Sequence, residues 1–405
     1  MKTKMNRWVY AIVGVIVLLL AGLVYAWSVL ANPIAQEFAT WTKAQLSLTF
    51  TICMILFCLG GLVGGLVSGK INVKINVWVA AVLFFIGFFM ASKTNSLFGL
   101  YIGYGVFAGF ASGLAYNAVM STMSKWFPDK QGLISGILLM GFGFGSFIIG
   151  KIYQAFTPAE IGGWRTSFFV FGVILLVVLA ICGFFFVKPG NDFVPPSAGK
   201  SKEKKNKEEG IDVPATVMLR RPAFWLFFIW AILLSAAGLA LIAQATGVAS
   251  QVGGEGISAS TITTVVGLIS IFNGVGRVIF GGLFDKIGRG KTMLLINVAF
   301  FISVLIVIAA LMTESFPILV LGFICCGLSY GGITPTNSAF VNSFYGPTHY
   351  PVNFSIVNLN LIIASFGGTI AGALYDASQS YLSTFILLLA AIVVGTVCSC
   401  LIRKP

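Results

Sequence analysis

Unbroken apolar runs alternate with short polar, mostly basic segments from one end of the chain to the other. Twelve runs can be marked, at roughly 8–31, 44–67, 76–92, 97–123, 131–151, 165–187, 223–250, 259–284, 292–312, 316–344, 351–374 and 380–402. An apolar stretch of about 20 residues crosses a bilayer as a helix. Strands of a membrane barrel would instead alternate apolar and polar residues over about ten positions. The pattern therefore predicts an all-α membrane protein with twelve transmembrane helices. Met1 to Trp8, with Lys2, Lys4 and Arg7, is like the basic start of a signal peptide, but the run Val9 to Ala31 is too long for a cleaved segment and reads as the first span.

The spacing of small residues shows an internal repeat. Gly145-Ser-Phe-Ile-Ile-Gly150-Lys-Ile-Tyr153-Gln-Ala155 in the fifth span matches Gly367-Gly-Thr-Ile-Ala-Gly372-Ala-Leu-Tyr375-Asp-Ala377 in the eleventh. Gly65-x-x-x-Gly69-Lys70-Ile71 matches Gly281-x-x-x-Asp285-Lys286-Ile287, and Gly109-x-x-x-Gly113 answers Gly327-x-x-x-Gly331. The chain thus divides into two pseudo-symmetric six-helix halves, 1–187 and 223–405. Residues 188–222 join them with Pro-Pro, Gly and the run Lys200-Ser-Lys-Glu-Lys-Lys-Asn-Lys-Glu-Glu. That connector cannot build a core and is expected to be solvated, with room for a short helix on the membrane surface. Parallel halves of this kind place a substrate site near the bilayer midplane. Glycines at i and i+4 let helices approach closely.

Composition agrees: 58% of residues are hydrophobic and 9% charged, against about a quarter charged in soluble domains. The net charge of +13 lies in inter-span segments and follows no continuous face, so nucleic acid is not an expected partner. Lys70, Lys74, Lys125, Lys130, the connector, Lys286, Arg289, Lys291, Arg403 and Lys404 fall on one side, and Lys43, Lys93, Lys151 and Arg165 on the other. Basic loops stay in the cytoplasm, so both termini and the connector are expected there, in a multi-pass protein of the plasma (inner) membrane. The seven cysteines lie in apolar runs without metal spacing, and no cofactor or metal is expected. The spans offer no nucleophile–base pair, so an enzyme is not expected either. His349, the only histidine, sits in the loop before the eleventh span.

Arg277 is the one basic residue that belongs to neither face. At about 100° per residue, Val266, Ser270, Asn273, Gly274, Arg277 and Gly281 form one stripe, with Leu268, Phe272, Val275 and Ile279 opposite. Arg277 is therefore expected to point inward. An arginine at a helix centre costs roughly 2.5–3.5 kcal/mol by insertion scales. Every acidic residue of the sequence falls in a loop or at a span end on this map, so a transported carboxylate is the favoured counter-charge and a purely structural ion pair the rival. Tyr116 and Tyr330 occupy related spans of the two halves, while Asn358 and Asn360 are polar in an apolar stretch, facing a cavity or bonding between helices.

Gly281-Gly-Leu-Phe-Asp285-Lys286-Ile-Gly288-Arg289 resembles the cytoplasmic loop signature of the major facilitator superfamily. Asn6-Arg7-Trp8 with Tyr25-Ala-Trp27 and Ala31-Asn32-Pro33, Trp126-Phe-Pro-Asp-Lys130-Gln-Gly132, Phe272-Asn273-Gly-x-x-Arg277 and Pro335-Thr-Asn337-Ser338 narrow the resemblance. They are similar to the oxalate/formate antiporter family and its monocarboxylate-transporter relatives. The resemblance implies the major facilitator fold. It assigns anion binding to Arg277, with Asn273 one turn earlier where animal carriers often have aspartate. It places Tyr25, Tyr116, Tyr330 and Phe142 around the substrate, and Asp285, Lys286 and Arg289 at a gate. Three departures stand out. Gly69 replaces the first-half signature aspartate and Asn72 a glycine. The oxalate branch's second cation is absent from Val357-Asn358-Leu359-Asn360-Leu361, and its tryptophan on the tenth helix is Cys326.

The expectation is a secondary transporter of small organic anions working by alternating access. A monocarboxylate of the lactate, pyruvate or formate type is favoured, because one cation stands where two would serve a dianion. A co-transported proton or a counter-anion completes the cycle, and the lipid bilayer is the surrounding partner of a protein expected to act as a monomer. The rivals are an oxalate:formate-type dicarboxylate antiporter and a transporter-like receptor.

Overall fold

In lipid, helices satisfy their backbone polar groups internally, and that is the only secondary structure among the described residues. The structure, a computed structural model, describes residues 6–190, 193 and 211–403. Lys2, Lys4, Lys404 and most of the charged connector lie outside them. Twelve membrane-length helices follow in order: α1 Arg7–Glu37, α2 Gln45–Val67, α3 Val73–Lys93, α4 Leu97–Trp126, α5 Gln131–Phe156, α6 Trp164–Phe185, α7 Pro222–Gly253, α8 Thr261–Ile287, α9 Arg289–Thr313, α10 Phe316–Tyr345, α11 Tyr350–Ser378 and α12 Tyr381–Leu401. Several overrun their apolar stretches by a turn or more, because hydropathy marks the hydrocarbon and not the helix end.

Local sequence sets the helix starts. Asn6, Asn72, Ser258 and Ser380 each cap a first turn by accepting a backbone N–H, and Thr42 with Gln45 forms a reciprocal capping box. Four helices are irregular. Gly22–Ala26 in α1 winds as a 3-10 segment and Tyr101–Ala108 in α4 as a π segment. α10 is interrupted at Gly332, where Pro335 lacks the N–H that would reach back to Gly331. α11 is interrupted at Leu359 and Ser365, where the Ser365 hydroxyl donates to the Ile362 carbonyl.

Two compact units emerge. The first comprises Met1–Pro128, Gly141–Gly199 and Tyr350–Ser355. The second comprises Asp129–Met140, Lys200–His349 and Ile356–Pro405. The opening turns of α5 thus pack with the later helices, and those of α11 with the earlier ones. Within the first unit, Gly113 lies on the Phe57 carbonyl and Gly109 on that of Cys53, drawing α4 onto α2. Within the second, Gly327 lies on the Ile269 carbonyl and Gly331 on that of Asn273, drawing α10 onto α8. The duplicated glycine pairs therefore build the same backbone-to-backbone crossing twice.

The basic residues also cap helix ends. Lys188 Nζ donates to the Ser68 carbonyl past α2 at 2.7 Å, Arg7 Nη1 to Trp126 of α4 at 3.3 Å, Lys74 Nζ to Phe184 of α6 at 2.8 Å and Arg289 Nη2 to Ile402 past α12 at 3.3 Å. Each cation meets the negative pole of an even-numbered helix. Burial, with Lys125 nearby, lowers the pKa of the Lys188 ammonium. The far end of the connector is fixed as well: Ile211 N and Val213 N donate to the Phe344 and Tyr345 carbonyls, and the Asp212 carboxylate takes the backbone N–H and hydroxyl of Thr348.

A methyl group at Gly113 would collide with the Phe57 carbonyl, so Gly113→Val should cost about 3 kcal/mol or more by overpacking. Thermal unfolding of the purified protein, followed by size exclusion, should show loss of folded material, with Gly69→Ala as a tolerated control because nothing lies near its missing Cβ.

Candidate functional site

Arg277 stands near the middle of α8 and is half-buried. Its Nε donates to Asn273 Oδ1 at 2.9 Å, one turn earlier on the same helix, and its Nη1 donates to the Leu139 carbonyl of α5. The i, i+4 spacing permits the first bond and fixes the plane of the guanidinium. The second bond reaches a neighbouring helix. Asn273 is itself buried, and Gly331 of α10 rests on its carbonyl and on the Arg277 amide. Helix α8 is thus clasped from two sides at the level of its guanidinium.

The buried stripe of α8 runs through Ile262, Val265, Ile269, Asn273, Phe280 and Phe284. It is rotated from the stripe that periodicity predicts: Ser270 is exposed and Leu268, Phe272 and Val275 are half-buried. The cause is the pair of neighbours, since α10 covers the Asn273 side while α5 covers the Arg277 and Gly281 carbonyls.

Arg277 lies two turns from a second polar contact. Asp285 accepts from the backbone N–H groups of Gly132 and Leu133, both at 2.8 Å, with one carboxylate oxygen for each. These are the first free donors of α5, so the carboxylate caps a helix other than its own. Gly132 packs on the Gly281 carbonyl, Gly136 on that of Arg277, and the Ser135 and Ser338 hydroxyls bond at 2.6 Å. Lys286 is exposed, and the Arg289 guanidinium lies 5.1 Å over the Phe344 ring.

The aromatic candidates of the first unit gather. Phe142 sits 5.4 Å from Tyr25, 5.3 Å from Tyr116 and 5.8 Å from Phe57, mostly edge-on. Tyr116 also stacks on Phe354 at 5.8 Å. In the second unit, Tyr330 is buried against Gly238 of α7, where any Cβ would strike its ring. Asn358 and Asn360 flank the break in α11 and both are buried. The Asn360 amide has no hydrogen-bond partner among the described residues. Cys326 is fully buried in α10. Leu139, Phe57, Asn117 and the Ser135–Ser338 pair were not singled out by sequence. The Gly132-x-x-x-Gly136 spacing was the available signal for the α5–α8 contact, whereas a carbonyl acceptor such as that of Leu139 leaves no trace in sequence.

Known proteins are similar to this chain in sequence and in fold. The sequence model of the Major Facilitator Superfamily matches residues 11–360 and again 239–405. The chain belongs to the major facilitator superfamily. This superfamily consists of transporters, not enzymes, and the chain is an integral membrane protein of twelve spans. Among its relatives, the oxalate:formate antiporter of Oxalobacter formigenes is 26% identical over 352 residues, 85% of this chain and 80% of that protein. The uncharacterized MFS-type transporter YhjX of Escherichia coli (strain K12) is 25% identical over 362 residues, 89% of this chain and 86% of that one. Human monocarboxylate transporter 11 is 31% identical over a shorter stretch of 118 residues, 28% of this chain and 24% of that protein. Among solved structures, the proton:xylose symporter XylE superposes with a TM-score of 0.73 at 13% identity, covering 98% of this chain and 97% of XylE. The superfamily resemblance in the sequence motifs is thereby confirmed.

Because Gly331 touches the backbone of both Asn273 and Arg277, Gly331→Ala should push α10 from α8 and misplace the guanidinium. Uptake by reconstituted protein should fall about tenfold or more, while size exclusion still shows folded material.

Proposed function

We propose that the chain is a secondary carrier of small organic anions that works by alternating access, with a monocarboxylate of the lactate, pyruvate or formate type as its substrate. The observation that carries this reading is Arg277, a half-buried guanidinium in mid-span whose plane is set by Asn273. A guanidinium at that depth matches a carboxylate in charge and in its two-pronged geometry. The names of the relatives, an oxalate:formate antiporter and monocarboxylate transporters, support the chemical class.

In this reading the incoming carboxylate competes with the Leu139 carbonyl for Arg277 Nη1, while Nε stays on Asn273. Substrate binding then loosens α5 from α8, which links occupancy to the gate held by Asp285. Lys286 and Arg289 belong to the same gate region. Tyr25, Tyr116, Phe142, Tyr330, Asn358 and Asn360 are assigned to substrate binding. Transport couples to a proton or to a counter-anion, in a monomer of the plasma (inner) membrane with both termini cytoplasmic. The oxalate:formate relative favours one second reading, exchange of a dicarboxylate. Against it, the stretch Val357 to Leu361 offers no second cation.

Uptake of labelled lactate, formate and oxalate into proteoliposomes, with and without a pH gradient, tests these alternatives. Lactate or formate should exceed oxalate, and oxalate dominance would establish the second reading. Arg277→Gln and Arg277→Lys should each reduce uptake by about 30-fold or more. Unchanged uptake in both would remove Arg277 from the mechanism, and saturable binding without accumulation would mark a receptor.

A further inference from the structure

Gly281 and Gly65 are repeat partners near the ends of α8 and α2, and each receives the backbone of an incoming helix. At Gly281 the visitor is Gly132 of α5, followed one turn on by Gly136 against the Arg277 carbonyl. At Gly65 the visitor is the Pro351 carbonyl of α11, followed one turn on by Ser355, whose hydroxyl donates to the Gly61 carbonyl at 2.7 Å. The two crossings are related by the repeat, but the chemistry beside them differs. The α5–α8 crossing carries the Asp285 carboxylate on two helix N–H groups. At the α2–α11 crossing the acid is replaced by Gly69, and the visiting residue is a proline, which has no N–H to offer a carboxylate. The acceptor is missing together with one of the two donors, while the next residue, Val352, keeps its N–H.

Asn117 of α4 stands in their place. It is 1% exposed, and its Nδ2 donates to the Pro351 carbonyl at 2.9 Å and to Ser355 Oγ at 2.7 Å. A carbonyl only accepts, so the nitrogen must face Pro351 and the orientation of the amide is fixed. The chain Asn117–Ser355–Gly61 then ties three helices, α4, α11 and α2, through neutral groups. The position that repeat spacing pairs with Asn117 in the second half is Pro335, which cannot do this. Tyr116, adjacent on α4, stacks on Phe354 of the same α11 segment.

We propose that Asn117 is a gate-positioning residue that replaces the lost carboxylate latch of the first half. The gate is accordingly built from one charged contact, Asp285 on α5, and one neutral contact, Asn117 on α11. The neutral contact is insensitive to pH and salt, and Gly69 with Pro351 is the vacated seat of a latch of the Asp285 type. The inference rests on the alternating-access reading for its meaning but not for its test, which needs no substrate.

Hydrogen–deuterium exchange of the full-length protein in lipid nanodiscs reads the contact directly. Asn117→Ala should speed exchange of residues 350–358 by about three- to tenfold, the effect of losing a modest buried hydrogen bond, with residues 73–93 of α3 unchanged as a folding control. Adding Gly69→Asp alone, for which the site has room, should restore less than its pairing with Pro351→Ala, because Pro351 withholds one of the two N–H groups that the Asp285 contact uses. Gly69→Asp with Pro351→Ala supplies carboxylate and N–H together and should restore protection, now lost as pH falls through the carboxylate range. The same pair in the otherwise native chain should slow exchange of this segment beyond the parent, a gain that misfolding cannot produce. Unaltered exchange in Asn117→Ala, or rescue by Gly69→Asp alone as full as by the pair, would overturn the proposal. Absence of uptake by the parent protein, with these exchange changes still observed in the variants, would count against the transport reading and leave this one standing.

Discussion

A permanent cation at bilayer depth is the constraint around which the second unit is organised. Arginine does not shed its proton at any relevant pH, so its charge cannot be titrated away and must be solvated by what surrounds it. The protein answers with Asn273 on the same helix and the Leu139 carbonyl on the next. The second contact requires close helix approach. That approach is what the glycines at 132, 136, 276, 281, 327 and 331 supply, each lying on a backbone carbonyl of its neighbour. Chemistry at the guanidinium and packing of the bundle are therefore the same design problem, and a side chain added at any of these crossings displaces both.

The two units solve helix crossing alike and gate chemistry differently. Gly109 and Gly113 do for α2 and α4 what Gly327 and Gly331 do for α8 and α10. Duplication preserved the geometry, because backbone contact tolerates no alternative to glycine. Side-chain contacts at the rim had no such restriction and diverged, leaving Asp285 on one side and Gly69 on the other.

Much of this was legible in the sequence. The twelve spans follow from runs of apolar residues, and the superfamily follows from motifs spread over both halves. Asn273 beside Arg277 was readable from i, i+4 spacing. The facing of α8 was less so: periodicity gives one stripe, but a helix held by two neighbours buries a compromise between two, and Ser270 falls outside it. Leu139 was invisible because a carbonyl is common to every residue. Asn117 was invisible because its partners, Pro351 and Ser355, lie more than 200 positions away. Irregular winding at Gly22–Ala26 and at Leu359 also escaped, since neither stretch breaks the apolar pattern that marks a span.

The cations that close the ends of α2, α4, α6 and α12 carry one more consequence. In the orientation proposed above, the side chains that would hold their loops in the cytoplasm also close the ends of helices other than the ones those loops follow. Replacing Lys74 by glutamine, for instance, would remove a vote on topology and bare a carbonyl in one step. At such a position neither role can be altered without the other, so a neutral substitution on the basic rim carries two costs at once.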